Sequence, residues 1–245
     1  MRTHTFQAMG TVVSIRLRTC VSGGGGGGDY DALEEVFRAL DERFSLYRAD
    51  SELSAVARAD LPLTAASTTL RDAYEQAIGW RNLTGGAFTP HRPDGVIDLS
   101  GIVKAQAMAS AAPLLDQLSP TGWLLNVGGD VLAGGGDPWQ VGIVDPRDRQ
   151  QLLGSVPTGP GWRAVATSGT AERGEHIWRT GALAEFVQVT VLAADIVTAD
   201  VLATAILAGG HSVLDLVTRT WPLDVLAIDR NGALRATPNL RASLT

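Results

Sequence analysis

The chain has 245 residues, 45% hydrophobic and 19% charged, with a net charge of −6. That suffices for a sizeable core, as one large domain or two lobes around a cleft, and it excludes wholesale disorder. With no basic block, nucleic acid and anionic membranes are poor partners, and the lone Cys20 can form neither an internal disulfide nor a zinc cluster.

No run approaches the roughly 20 apolar residues of a membrane span, so no transmembrane segment is expected. Met1 to Gln7 lacks the apolar stretch of a signal peptide. A cytoplasmic protein is the expectation, or an exported one if a leader has been trimmed.

In chain order, Thr11 to Leu17 alternates as a strand, with Val13, Ile15 and Leu17 on one face and Ala8-Met9-Gly10 before it. Six glycines, Gly23 to Gly28, predict a flexible loop at 22–29, and a helix follows from about Tyr30 to Phe44. Strand, glycines and helix formally satisfy a dinucleotide-binding pattern, but a glycine homopolymer matches any such pattern trivially and has no preferred shape. Ser51 reads as a turn into a short helix, and Tyr47 beside it is either core or a flat face for an aromatic ligand.

A helix is predicted over Ser67 to Thr84, ended by Gly85-Gly86. Asp98-Leu99-Ser100-Gly101-Ile102-Val103-Lys104 leads into an Ala-rich helix reaching Leu118, which puts Asp98, Gly101 and Lys104 around a helix N-terminus. Such a place suits anions, although an ordinary N-cap with a surface lysine has the same pattern. Trp123 to Val131 reads as an apolar strand running into a Gly-Gly turn. Further strands are predicted at Trp139 to Ile143, Arg163 to Thr167, Phe186 to Leu192 and Val225 to Ile228, the last ending at Asn231-Gly232. Short strands mixed with helices, without regular alternation, predict an α+β fold.

Between the last two of these strands, Thr198 to Leu207 reads as a mostly apolar helix capped by Thr198 and stopped by Gly209-Gly210. Asp200 and Thr204 stand four residues apart, so both oxygens project from one face. Asp200 could merely complement the helix dipole and Thr204 bond back to a carbonyl; the functional alternative is a hard-cation site that also holds phosphates.

Several chemistries are absent: the chain has no phosphate-binding P-loop, no His-Glu-x-x-His and no Gly-x-Ser-x-Gly elbow. Its four histidines, His4, His91, His176 and His211, are scattered. A hydrolase triad of Ser168, His176 and some Asp would require an accident of folding.

Taken together, the motifs resemble the ApbE family of FAD:protein FMN transferases. They run in the family's order: Ala8-Met9-Gly10-Thr11, Tyr47 to Ser54, Gly86-Ala87-Phe88, Asp98 to Lys104, Asn126 to Asp130, Ala166 to Gly169, Glu172-Arg173-Gly174 with His176-Ile177, and Ala199 to Thr204. The resemblance implies one ApbE-like domain over 1–245, an α+β fold of short, largely antiparallel strands with helices, and two lobes around an FAD cleft.

It implies a magnesium-dependent enzyme that cleaves the FAD pyrophosphate, attaches FMN through a phosphoester to a threonine of an acceptor protein and releases AMP. FAD pyrophosphatase activity and non-catalytic flavin binding are the alternatives. On this resemblance Asp200 and Thr204 are metal ligands, with backbone oxygens near Gly101 and at Ala203 completing the set. Tyr47 lies against the isoalloxazine ring, and Met9, Ala87, Phe88, Thr89, Asp98, Lys104 and Ile177 line the FAD site. His176 lies near the phosphates as a candidate catalytic group beside Asp200 and Thr204, and Glu172 and Glu175 are further candidates for the base. The chain departs from the family pattern at Thr89, which replaces an Asp, at Ala105, Gln106 and Ser110 after the lysine, and at Trp178-Arg179.

Overall fold

The computed structural model describes residues 1–18, 28–119, 121–159, 161–169 and 185–244. Strands β1 (Arg2–Ala8) and β2 (Thr11–Leu17) form a hairpin, as do β3 (Trp123–Val127) and β4 (Asp130–Gly134). Each turn has two residues at positive φ: Met9 at 52° and Gly10 at 70°, then Gly128 at 58° and Gly129 at 98°. That conformation matches the right-handed twist of the strands. Because β2 pairs with β3, with Val13 opposite Val127, the two turns lie at the same end of the sheet.

A separate hairpin, β5 (Gln140–Asp145) and β6 (Asp148–Pro157), precedes β7 (Ala164–Gly169), β8 (Phe186–Ala193), β9 (Asp224–Asp229) and β10 (Leu234–Ala236). The main sheet has the order β1-β2-β3-β4-β7-β8-β9-β10, antiparallel throughout. The helices are α1 (Gly28–Phe44), α2 (Glu52–Ala57), α3 (Thr68–Leu83), α4 (Ser100–Leu118), α5 (Ile196–Thr220) and α6 (Pro238–Ser243). This is the expected α+β architecture.

Alternate residues of the central strands enter two different cores. Leu125, Val127, Ala166, Val189, Val191 and Ala227 belong to one, which contains α1, α4 and α5. Leu124, Val131, Val165, Leu192 and Leu226 belong to the other, with Val141, Ile143 and Val156 of the β5–β6 hairpin and Leu240 of α6. The Gly-Gly turn expected after the apolar strand is at Gly128-Gly129, and β4 after it, buried on both faces, is a strand that was not predicted. Strands β1 and β6 escaped prediction for the opposite reason: β1 is a half-exposed edge strand and the first half of β6 is exposed and polar.

Ser51, read as a turn into a helix, caps α2 by accepting from the Ser54 amide, and Ser67, read as the first helical residue, instead caps α3 by accepting from the Leu70 amide. Helix α5 differs at both ends. Its cap is Asp195, whose Oδ1 accepts from the Thr198 amide at 2.8 Å, so Thr198 already lies inside the first turn. Gly210 does break the helix, at φ 67° and ψ −149°, but helical structure resumes to Thr220 because Val213 and Val217 continue the buried stripe.

Contrary to the sequence expectation, α5 is long and apolar enough by composition to cross a membrane, with a window of mean hydropathy 1.6. Half of that window is buried within the protein, where α5 packs on β7, β8 and α4, as a core helix does. Of the loop expected at 22–29, residues 22–27 lie outside the described residues, and α1 already begins at Gly28.

Candidate functional site

A cleft of about 880 Å³ opens where both positive-φ turns meet the start of α4. The turns contribute Met9, Gly10, Thr11 and Gly128; α4 contributes Ser100, Gly101 and Lys104; α5 contributes Thr204. The end of α1 and the segment after it supply Asp41, Tyr47 and Arg48, and Arg92, Asp98 and Arg149 complete the polar lining.

Local sequence explains this convergence. Glycine at 128 lets the backbone press against Thr11, whose Oγ1 would lie 2.7 Å from any Cβ placed there. Asp98 turns the chain into α4 by accepting from the Ser100 amide at 2.9 Å, and Gly101 leaves room for Phe88, whose ring would lie 3.1 Å from an added Cβ.

Behind the cleft sits a group of buried charges. The Lys104 side chain is 12% exposed, and those of Asp130 and Asp200 are 1% exposed each. The Lys104 ammonium is in direct contact with Asp130 Oδ2 and lies 3.6 Å from Asp200 Oδ2. Asp130 Oδ1 accepts from the Thr167 amide at 2.9 Å. One turn beyond Asp200, the hydroxyls of Thr204 and Ser168 are bonded at 3.0 Å. Two carboxylates sharing one ammonium is an expensive arrangement to bury unless it is tightly paired and hydrogen-bonded.

Of the residues proposed from sequence, Met9, Tyr47, Asp98, Gly101, Lys104 and Thr204 meet in this cleft, with Asp200 buried directly behind. Lys104 is no surface lysine, and Tyr47, 86% exposed, presents its ring at the opening. Ala87, Phe88 and Thr89 do not line the cleft. Phe88 is core packing, Ala87 lies against Gly209 of α5, and Thr89 Oγ1 accepts from the His91 amide within its own turn. The Ala203 side chain is buried in the core, which leaves only its backbone for any ligand. His176, Ile177, Glu172, Glu175, Trp178 and Arg179 lie outside the described residues.

The departures after the lysine face away from the site. Ala105 is buried in the core, Gln106 donates to Gln76 on α3 at 3.0 Å, and Ser110 is exposed on the surface of α4. Ser168 is 1% exposed and engaged with Thr204, an inaccessible place for a nucleophile. The described histidines are as scattered as expected: His4 pairs with Glu34, His91 with Tyr74, and His211 with Glu185.

Sequence reasoning passed over Asp130, Arg48, Arg92 and Arg149 as site residues. Asp130 lay inside a quoted motif, so its signal was present; Arg149 sits on an exposed, polar hairpin whose approach to the cleft no local pattern announces. Among the described residues no three His, Cys, Asp or Glu side chains gather as a ready metal cage. Oxygen donors in and behind the cleft include the carboxylates of Asp98, Asp130 and Asp200 and the Thr204 hydroxyl.

Comparison with known proteins gives sequence relatives and a shared fold. FAD:protein FMN transferases of Klebsiella pneumoniae and Salmonella typhimurium are 29% and 30% identical over 156 residues, 57% of this chain. The aligned stretch spans 44% of the length of each of those relatives. The fold matches the ApbE protein of Thermotoga maritima over 100% of this chain and 99% of that one, with a TM-score of 0.80 and 19% identity. It matches flavin transferase ApbE of Vibrio cholerae over 99% of both chains, with a TM-score of 0.78 and 21% identity. The ApbE family model matches residues 9–93 and 89–227, from the first hairpin turn to β9, and the chain belongs to the ApbE family.

Proposed function

We propose that the chain is an FAD:protein FMN transferase that cleaves the FAD pyrophosphate, attaches FMN to a threonine of an acceptor protein through a phosphoester and releases AMP. The observation that carries this reading is the convergence of Lys104, the start of α4 and Thr204 in one cleft, backed by the buried Asp200 and fronted by the exposed ring of Tyr47. The amides and the dipole at a helix start favour phosphate oxygens, and Tyr47 offers a face on which a flavin ring can stack. Arg48, Arg92 and Arg149 also line the opening, Arg48 paired with Asp50 and Arg92 with Asp94.

The donors fit magnesium better than a transition metal, since all are oxygens and too few to close a shell without substrate and water. Asp200 and Thr204 would hold the ion, with carbonyls near Gly101 and Ala203. When bound, magnesium supplies charge neutralisation at the pyrophosphate. The chain's own part is positioning: the cleft orients the flavin half while the acceptor hydroxyl approaches its phosphorus. The bond to AMP breaks as the threonine phosphoester forms, with the hydroxyl proton passing to a base.

Incubating the protein with FAD, magnesium and a threonine-bearing acceptor peptide, then separating products by chromatography, tests this. AMP together with a peptide heavier by FMN is the expected outcome. Free FMN with an unmodified peptide would assign a pyrophosphatase instead, and intact FAD would assign a flavin-binding role.

A further inference from the structure

Asp41 stands in the last turn of α1 and lines the cleft. A negative charge there opposes the helix dipole, whose C-terminal end is itself negative. An ion pair would offset that cost, but the cations nearby in sequence are engaged elsewhere. Arg38 pairs with Glu35 and Glu42, Arg43 with Glu52, and Arg48 with Asp50. The Asp41 backbone carbonyl accepts from the Ser45 amide at 3.0 Å. Its half-buried carboxylate has no hydrogen-bond or ion-pair partner among the described residues. A residue that breaks a local rule with no structural compensation points to function.

We propose that Asp41 is a ligand-binding residue that accepts hydrogen bonds from the vicinal hydroxyl groups of the bound molecule. The inference rests on the FAD reading above. A carboxylate is acceptor-only, and its two oxygens can take neighbouring hydroxyls together. It repels phosphate, so the pyrophosphate is left to the start of α4. FAD carries suitable hydroxyls in two places, the ribityl chain of its flavin half and the ribose of its adenosine half. Asp41 shares its part of the cleft with Leu40, Phe44 and Tyr47 of the same segment, which supply apolar and aromatic surface beside it.

Flavin fluorescence titration of Asp41→Ala with FAD, beside a thermal melt of the ligand-free chain, tests this. FAD affinity should fall about tenfold or more, the scale of a lost hydrogen bond to a charged group. The melting temperature should hold or rise, because a charge opposed to the helix dipole has gone. A merely structural role would lower both.

Binding of FMN, and displacement of FAD by ADP, place the contact. A loss shared by FMN alone assigns the ribityl chain, and a loss shared by ADP alone assigns the ribose. Lumiflavin, which has the ring and no hydroxyl chain, should bind both chains alike. Unchanged FAD affinity overturns the inference alone, as does a lowered melting temperature, a loss shared by neither fragment or by both, or weakened lumiflavin binding. An unsubstituted chain that does not bind FAD overturns this inference and the FAD reading together.

Discussion

Individual side chains here divide into those the core demands and those it tolerates at a cost. Asp200 is of the second kind: a fully buried carboxylate on an apolar helix is costly and is retained where it has work to do. Asp200→Asn removes the charge at constant volume. On the proposed metal reading it should abolish turnover in a steady-state assay with magnesium while circular dichroism shows the fold intact; normal turnover would exclude Asp200 as the proposed metal ligand.

Tyr47 is its counterpart on the surface. At 86% exposure its ring contributes little to folding, so Tyr47→Ala should leave the melting temperature nearly unchanged and weaken FAD binding by about tenfold, the scale of a lost ring stack. Flavin fluorescence titration would measure this. Sequence was informative about such residues where they sat in compact motifs, as Lys104 and Thr204 do. It misplaced Phe88, because an aromatic beside glycines fits a ligand wall as well as it fits the packing against Gly101.

Secondary-structure elements were most legible where capping and periodicity agreed. Ser51 and Ser67 stand at the starts of α2 and α3 within a residue of where the helices were expected, since a serine accepting from the amide three residues on is local chemistry. The ends of α5 were less legible: Asp195 and Thr198 are both plausible caps, and only the hydrogen bond between them decides. The kink at Gly210 has a testable cost. Its φ of 67° with ψ of −149° is essentially restricted to glycine, and an added Cβ would run into Glu185, whose carboxylate accepts from the His211 amide at 2.6 Å. Gly210→Ala should therefore destabilise the protein by about 1–3 kcal/mol, visible in a denaturant titration, while Mn²⁺ affinity at Asp200 stays within about threefold because the kink lies more than two turns away.

At the scale of the whole molecule, the cleft sets Arg48, Arg92, Lys104 and Arg149 beside Asp41 and Asp98. FAD affinity should fall several-fold from about 10 mM to about 1 M salt, as the Debye length shrinks from about 30 Å to about 3 Å. An affinity independent of salt would mean that Arg48, Arg92 and Arg149 do not act on the ligand. By itself the sequence determined the α+β class, the places of α1 to α4, and the spacing of Asp200 and Thr204, because each follows from composition or from spacing along one element. Tertiary structure alone decided that β4 pairs with β7, that Arg149 reaches the cleft, and that Lys104 engages Asp130 rather than solvent. Those outcomes depend on strands and helices distant in sequence meeting at one end of the sheet, and no local pattern encodes such a meeting.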